Sequence, residues 1–158
     1  MGFIEPELNS VVKYLKKLDE KSVPIWGSLT PLGMIEHLTD SLNMAIGNPM
    51  EKIEVHEKHW NKMIAILNSD AAFPKNFKVS FAPENRIIRN KNIIGAILEF
   101  EKTWTVYEET FSNTPKLITN HPNYGPLNKQ QWDRMLRKHL THHLMQFGLI
   151  SDQLEFEH

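Results

Sequence analysis

Apolar residues in this chain return every three or four positions through five separate stretches, and no pair of segments alternates apolar with polar residues in the manner of paired strands. That period confines the fold to packed helices. Each stretch gains one apolar stripe, and a stripe must be buried against another element. The first runs from about Pro6 to Lys21, with Leu8, Val11, Val12, Leu15 and Leu18 on one face and Pro6 near its start, where a missing N–H costs little. The second, "TPLGMIEHLTDSLNMAIG", opens with Thr30 as N-cap and Pro31 in the first turn, and ends at Gly47. A third, from about Met50 to Leu67, carries Ile53, Trp60, Ile64 and Leu67. The fourth, from about Asn92 to Ser112, spaces Ile93, Ile97, Phe100, Trp104, Tyr107 and Phe111 along a stripe. The last starts at "LNKQQW", where Asn128 and Gln131 have capping-box spacing, and runs to about Ile150.

Between these stretches, "NSDAAFPKNFKVSFAPENR" and "NTPKLITNHPNYGP" read as long irregular connections. The expected fold is all-α: a helix bundle with long crossover loops, the Pro6–Lys21 helix being one of four or an extra. At 158 residues, with no repeat, low-complexity tract or boundary, a single domain spanning residues 1–158 is expected.

Composition narrows the function classes. Lys and Arg total 18 against 19 Asp and Glu, a formal charge of -1, so no global positive field favours nucleic acid. No apolar run approaches the roughly 18 residues of a membrane helix, and the N-terminus lacks a secretory pattern, so a cytoplasmic protein is expected. Cysteine is absent, which excludes disulfides, thiolate zinc sites and cysteine nucleophiles. Any metal must sit on His, Asp or Glu. The four tryptophans, Trp26, Trp60, Trp104 and Trp132, offer apolar surface from which a homodimer is one expectation.

The stretch "KHLTHHLMQFG", Lys138 to Gly148, sets three histidines within five residues of the last helix. At about 100° per residue and with Trp132 at zero, Leu136 falls at about 40° and Phe147 at about 60°, while His143 falls at about +20° and His139 at about -20°. Both rings thus project from the apolar face, one turn apart. His142 lies at the margin, near -80°, and Arg134, Arg137, Lys138 and Thr141 occupy the opposite side. Two imidazoles at i and i+4 stack about 6 Å apart and can converge on one ion through neutral ring nitrogens. Alternatively each could be a satisfied core histidine. A third ligand must come from a facing helix, with His37 the best candidate and His56 its rival. Because His59 falls on the polar side, the His56 and His59 pair reads as structural or exposed; His121 reads as a turn or pocket-rim residue, and His158 is uninformative.

"WGSLTPLGMIEHLTDS" and "HPNYGPLNKQQWDRMLRKHLTHHLMQFG" resemble segments of the DinB-like (DinB/YfiT) superfamily of metal-binding four-helix bundles, and are most similar to its DUF1569 branch. The two matches cover about a quarter of the chain directly, by their length in the sequence. The resemblance implies a divalent metal, nickel or zinc, bound by His37, His139 and His143, with His142 as a neighbour rather than a ligand. Asn128 stands where the branch commonly has Thr or Ser, which preserves a cap.

Three histidines leave coordination positions open, as a catalytic site requires. Relatives in the wider superfamily imply a metal-dependent transferase or isomerase acting on a small-molecule substrate with a low-molecular-weight thiol. The alternatives are a metal-dependent hydrolase and a non-enzymatic metal-binding bundle. For hydrolysis, Glu36 points about 100° from His37 and reads as solvated, whereas Asp40 is placed to orient the His37 ring.

Overall fold

The computed structural model describes residues 2–83 and 85–151. Its described residues form five α-helices and one small antiparallel sheet: α1 (Leu8–Leu15), α2 (Pro31–Ala45), α3 (Trp60–Asn68), α4 (Ile93–Asn113), β1 (Thr119–His121), β2 (Gly125–Leu127) and α5 (Lys129–Gln146). The fold is therefore mostly helical, as the periodicity predicts. No helix among the described residues is long and apolar enough to cross a membrane.

The starts of α2, α4 and α5 follow the sequence closely because they are set by local chemistry. The Thr30 hydroxyl accepts from Gly33 N–H at 3.0 Å and the Asn92 side chain from Gly95 N–H at 2.9 Å. Asn128 and Gln131 form the predicted capping box in both directions, each bond 2.9 Å long.

α5 ends at Gln146 rather than near Ile150, and two other helices fall further short of their predicted lengths. α1 begins only at Leu8, because the Glu7 carboxylate caps Asn9 and Ser10, and it ends at Leu15. Beyond it, Asp19 and Ser22 close a turn of their own: Asp19 Oδ1 accepts from Lys21 N–H, and Ser22 Oγ from Asp19 N–H. The predicted Met50–Leu67 helix is replaced over residues 50–56 by irregular chain, then a 3-10 turn at Glu57–His59, and only then α3. Here a tertiary bond outcompetes the helix. Glu54 and Val55 N–H groups both donate to the Pro122 carbonyl, at 2.9 and 3.0 Å, tying this stretch to the hairpin.

The hairpin itself corrects the expectation of no paired strands. Thr119 pairs with Leu127, Asn120 with Pro126 and His121 with Gly125, a ladder too short to produce a readable alternation. Gly125 is required at its corner: its φ is +85°, and a Cβ there would lie 3.0–3.1 Å from three atoms of the Trp60 indole.

The core runs along α2 and α4, with α1 on α4 and α3 on α5. Trp104 and Phe100 are among its largest fully buried side chains, and Trp132 joins them at 2% exposure. Trp26 and Trp60 are half-buried.

α5 departs from the wheel. Lys138 and Thr141, placed on the solvent side by the sequence, are each 1% exposed. The N-terminal arm covers the Thr141 side, where Ile4 N–H donates to Thr141 Oγ1 at 3.0 Å. On the Lys138 side stands the C-terminus of α3: Lys138 Nζ donates to the Ile66, Leu67 and Ser69 carbonyls at 3.1–3.3 Å. A buried ammonium is tolerated there because those carbonyls end a helix and carry its negative dipole.

Candidate metal centre

His37 comes from the middle of α2, and His139 and His143 from adjacent turns of α5. Among the described residues they form a group able to hold a metal ion, with all ligand atoms within 4.8 Å of one another. Their Nε2 atoms face each other: His139 Nε2 lies 2.8 Å from His37 Nε2 and 3.0 Å from His143 Nε2. The rings meet edge to face, with centroids 4.6–4.8 Å apart. His139 and His143 are buried, and His37 is half-buried.

Burial sets the charge of all three. Desolvation lowers the His37 pKa to about 4, with the Arg86 guanidinium adding to the effect, and holds His139 and His143 well below the ordinary 6.5, reinforced by their neighbouring imidazoles. The rings are neutral at pH 7 and present lone pairs rather than charge.

The contact pattern fits a cation better than a proton. A neutral ring nitrogen has one in-plane site, holding either a hydrogen or a lone pair. His139 Nε2 makes two close nitrogen contacts with that single site, so one shared hydrogen leaves the other contact unsatisfied. A divalent ion bound to all three lone pairs satisfies every one of them. The outer bonds are uneven: His143 Nδ1 lies 2.7 Å from Gln146 Oε1, whereas His139 Nδ1 is buried without a partner among the described residues.

The surroundings correct the expectations for Glu36, Asp40 and a rim position of His121, while the His56 and His59 pair is exposed, as expected. His56 is exposed and turned outward, its Nδ1 accepting from Lys58 N–H at 3.1 Å as the cap of the 3-10 turn, and His59 is exposed. Glu36, expected in solvent, is fully buried. Its carboxylate accepts from Arg89 N–H at 3.0 Å, Asn90 N–H at 2.7 Å and Asn90 Nδ2 at 2.8 Å, clasping residues 89–90 onto α2. Those bonds hold its pKa below the usual value against the opposing effect of burial. The long crossover that a one-helix wheel cannot see is what buries it. Asp40, expected to orient His37, instead pairs with Arg86 at 2.7 Å and Arg89 at 3.0 Å.

Of the two roles expected for His121, it takes the turn and not the rim: 2% exposed and boxed by Phe81, Tyr124 and Trp132, it accepts at Nδ1 from Asn123 N–H in the hairpin turn at 3.0 Å. His142 is half-buried beside the centre. Its ring stands edge-on to His143 at 4.9 Å and to Trp26 at 5.4 Å, and it hydrogen-bonds the Phe73 backbone. Trp26 and Phe73, from two irregular segments, thus cover one flank of the centre, with Lys75 Nζ 4.4 Å above the Trp26 ring. Neither was legible as a site residue, since loops carry no period by which a side chain can be placed. His158 lies outside the described residues.

Comparison with protein-family models, with curated proteins and with solved structures finds no match. The family resemblance rests on the two sequence segments quoted above.

Proposed function

We propose that this protein is a divalent-metal enzyme, its nickel or zinc ion held by His37, His139 and His143 inside a DinB-like four-helix bundle to which α1, α2, α4 and α5 contribute. One observation carries the reading: three buried or half-buried imidazoles, one from α2 and two from α5, turn their Nε2 atoms toward one point. A dry core resists unpaired polar rings, so such convergence is best explained by a shared ligand.

Three protein ligands leave coordination positions for a substrate, unlike a closed four-ligand structural site. When bound, the ion supplies Lewis acidity that lowers the pKa of a thiol or water reaching it. The reaction favoured here is transfer or isomerisation of a small molecule with a low-molecular-weight thiol, the class that the sequence resemblance implies. The thiol must be external, because the chain has no cysteine. Within the chain, the α2 and α5 helices fix the three ring positions, and Trp26 and Phe73 exclude water from one flank. Hydrolysis ranks lower because Glu36 and Asp40, the carboxylates nearest His37 in sequence, are committed to the 86–90 segment.

The test is metal analysis of protein purified without chelator, followed by thiol conjugation to an electrophile such as chlorobimane. One equivalent of bound metal and a metal-dependent rate are expected. No bound metal, with no rate above background after nickel or zinc loading, refutes the proposal. His139→Ala separates the remaining alternative: loss of metal with a retained melting transition favours an active site, whereas loss of folding with the metal favours a structural ion.

A further inference from the structure

One side chain joins the centre to the irregular segment that precedes α2. Gln146 Nε2 donates to the Trp26 carbonyl at 3.0 Å, its Oε1 lies 2.7 Å from His143 Nδ1, and its own backbone carbonyl accepts from Ile25 N–H at 2.7 Å. These contacts decide where a proton sits. A backbone carbonyl only accepts, so the amide nitrogen must face Trp26 and the amide oxygen must face His143. An amide oxygen also only accepts, so His143 Nδ1 carries the ring hydrogen. A neutral imidazole has a single N–H, which leaves a lone pair on the Nε2 that faces His139.

We propose that Gln146 is a positioning residue through which docking of residues 25–27 selects the metal-binding tautomer of His143. The proposal rests on the metal-centre reading above and adds that metal affinity is coupled to a loop that supplies no ligand. Among the described residues the Gln146 side chain bonds to His143 and Trp26 and to neither His37 nor His139; it acts through His143.

The same contacts provide a way to perturb the device from the loop side. Gly27 has φ +76°, and a Cβ there would fall 2.9 Å from Gln146 Nε2. Gly27→Ala therefore pushes on the amide without touching a ligand, while its backbone strain is common to any background.

The experiment has two parts. In metal-free, 15N-histidine-labelled wild-type protein, long-range 1H–15N correlation should show His143 protonated at Nδ1, and Gln146→Leu should lose that preference. In zinc competition against a chromophoric chelator, Gln146→Leu should bind roughly 10- to 100-fold more weakly, the usual effect of removing the partner of a ligating histidine. Gln146→Glu, which keeps an acceptor at His143 but cannot donate to Trp26, should stay within a few-fold of wild type. Gly27→Ala should weaken zinc binding in the wild-type background and have no further effect in the Gln146→Leu background.

An Nε2-protonated His143 in metal-free wild type overturns the proposal, as does strict additivity of the Gly27→Ala and Gln146→Leu losses. Failure of wild-type protein to bind zinc instead overturns the metal-centre reading, and the metal-free spectrum then decides the tautomer question alone.

Discussion

Acidification should unfold the metal-free protein over a narrow range set by its buried imidazoles. Burial lowers His37 to about 4 and His121 to about 3, and holds His139 and His143 well below the ordinary 6.5. The unfolded chain takes up protons on these rings near 6.5 and the folded chain does not. Stability is therefore complete above that pH and falls as pH drops toward the folded values. Between pH 7 and pH 5.5, one such ring costs roughly 1.3 kcal/mol, the difference in proton-binding free energy of an ordinary histidine across that interval. Four rings together cost about 5 kcal/mol, comparable with the ~5–15 kcal/mol total stability of a domain. Urea unfolding followed by circular dichroism, in EDTA at several pH values across this range, measures the loss directly. His121→Gln keeps an acceptor for the Asn123 N–H and isolates a ring outside the metal group, so it should reduce the pH-dependent loss by about a quarter. Stability that changes by less than about 1 kcal/mol across the range would refute the burial argument.

Further outcomes follow from single contacts. Glu36→Ala leaves two backbone N–H groups and two arginines without their shared carboxylate, and should cost about 3–5 kcal/mol in urea unfolding while releasing residues 89–90 to faster amide exchange. Gly125→Ala should cost at least ~1–2 kcal/mol, from the positive φ and the Trp60 contact combined, read as a lowered melting temperature. The double change His56→Ala with His59→Ala should leave bound-metal stoichiometry unchanged by elemental analysis, since both rings are exposed and His56 caps the 3-10 turn.

Much of the candidate centre is legible in the sequence. The positions of His139 and His143 on the α5 wheel follow from 3.6-residue geometry alone, and the structure brings them together with His37, the residue that the resemblance also indicated. The starts of α2, α4 and α5 are equally legible, because Thr30, Asn92 and Asn128 act on N–H groups only three residues away. Those are short-range facts, and the chain carries them locally.

What the sequence could not carry was the identity of the facing surfaces. Glu36 and Lys138 sit on helix sides that look polar, yet the 86–90 segment buries one and the α3 C-terminus buries the other. Each is a charge made tolerable by hydrogen-bond partners between 53 and 72 positions away. The residues 50–56 were lost to the helix for the same reason, since a carbonyl at Pro122 offered their N–H groups a better partner. By itself, then, the sequence determined a helical protein with two inward histidines one turn apart on its last helix. Tertiary structure decided that His37 rather than His56 meets them, and that Gln146 and Trp26 stand behind His143, because hydrogen bonds between distant segments leave no period in the chain that makes them.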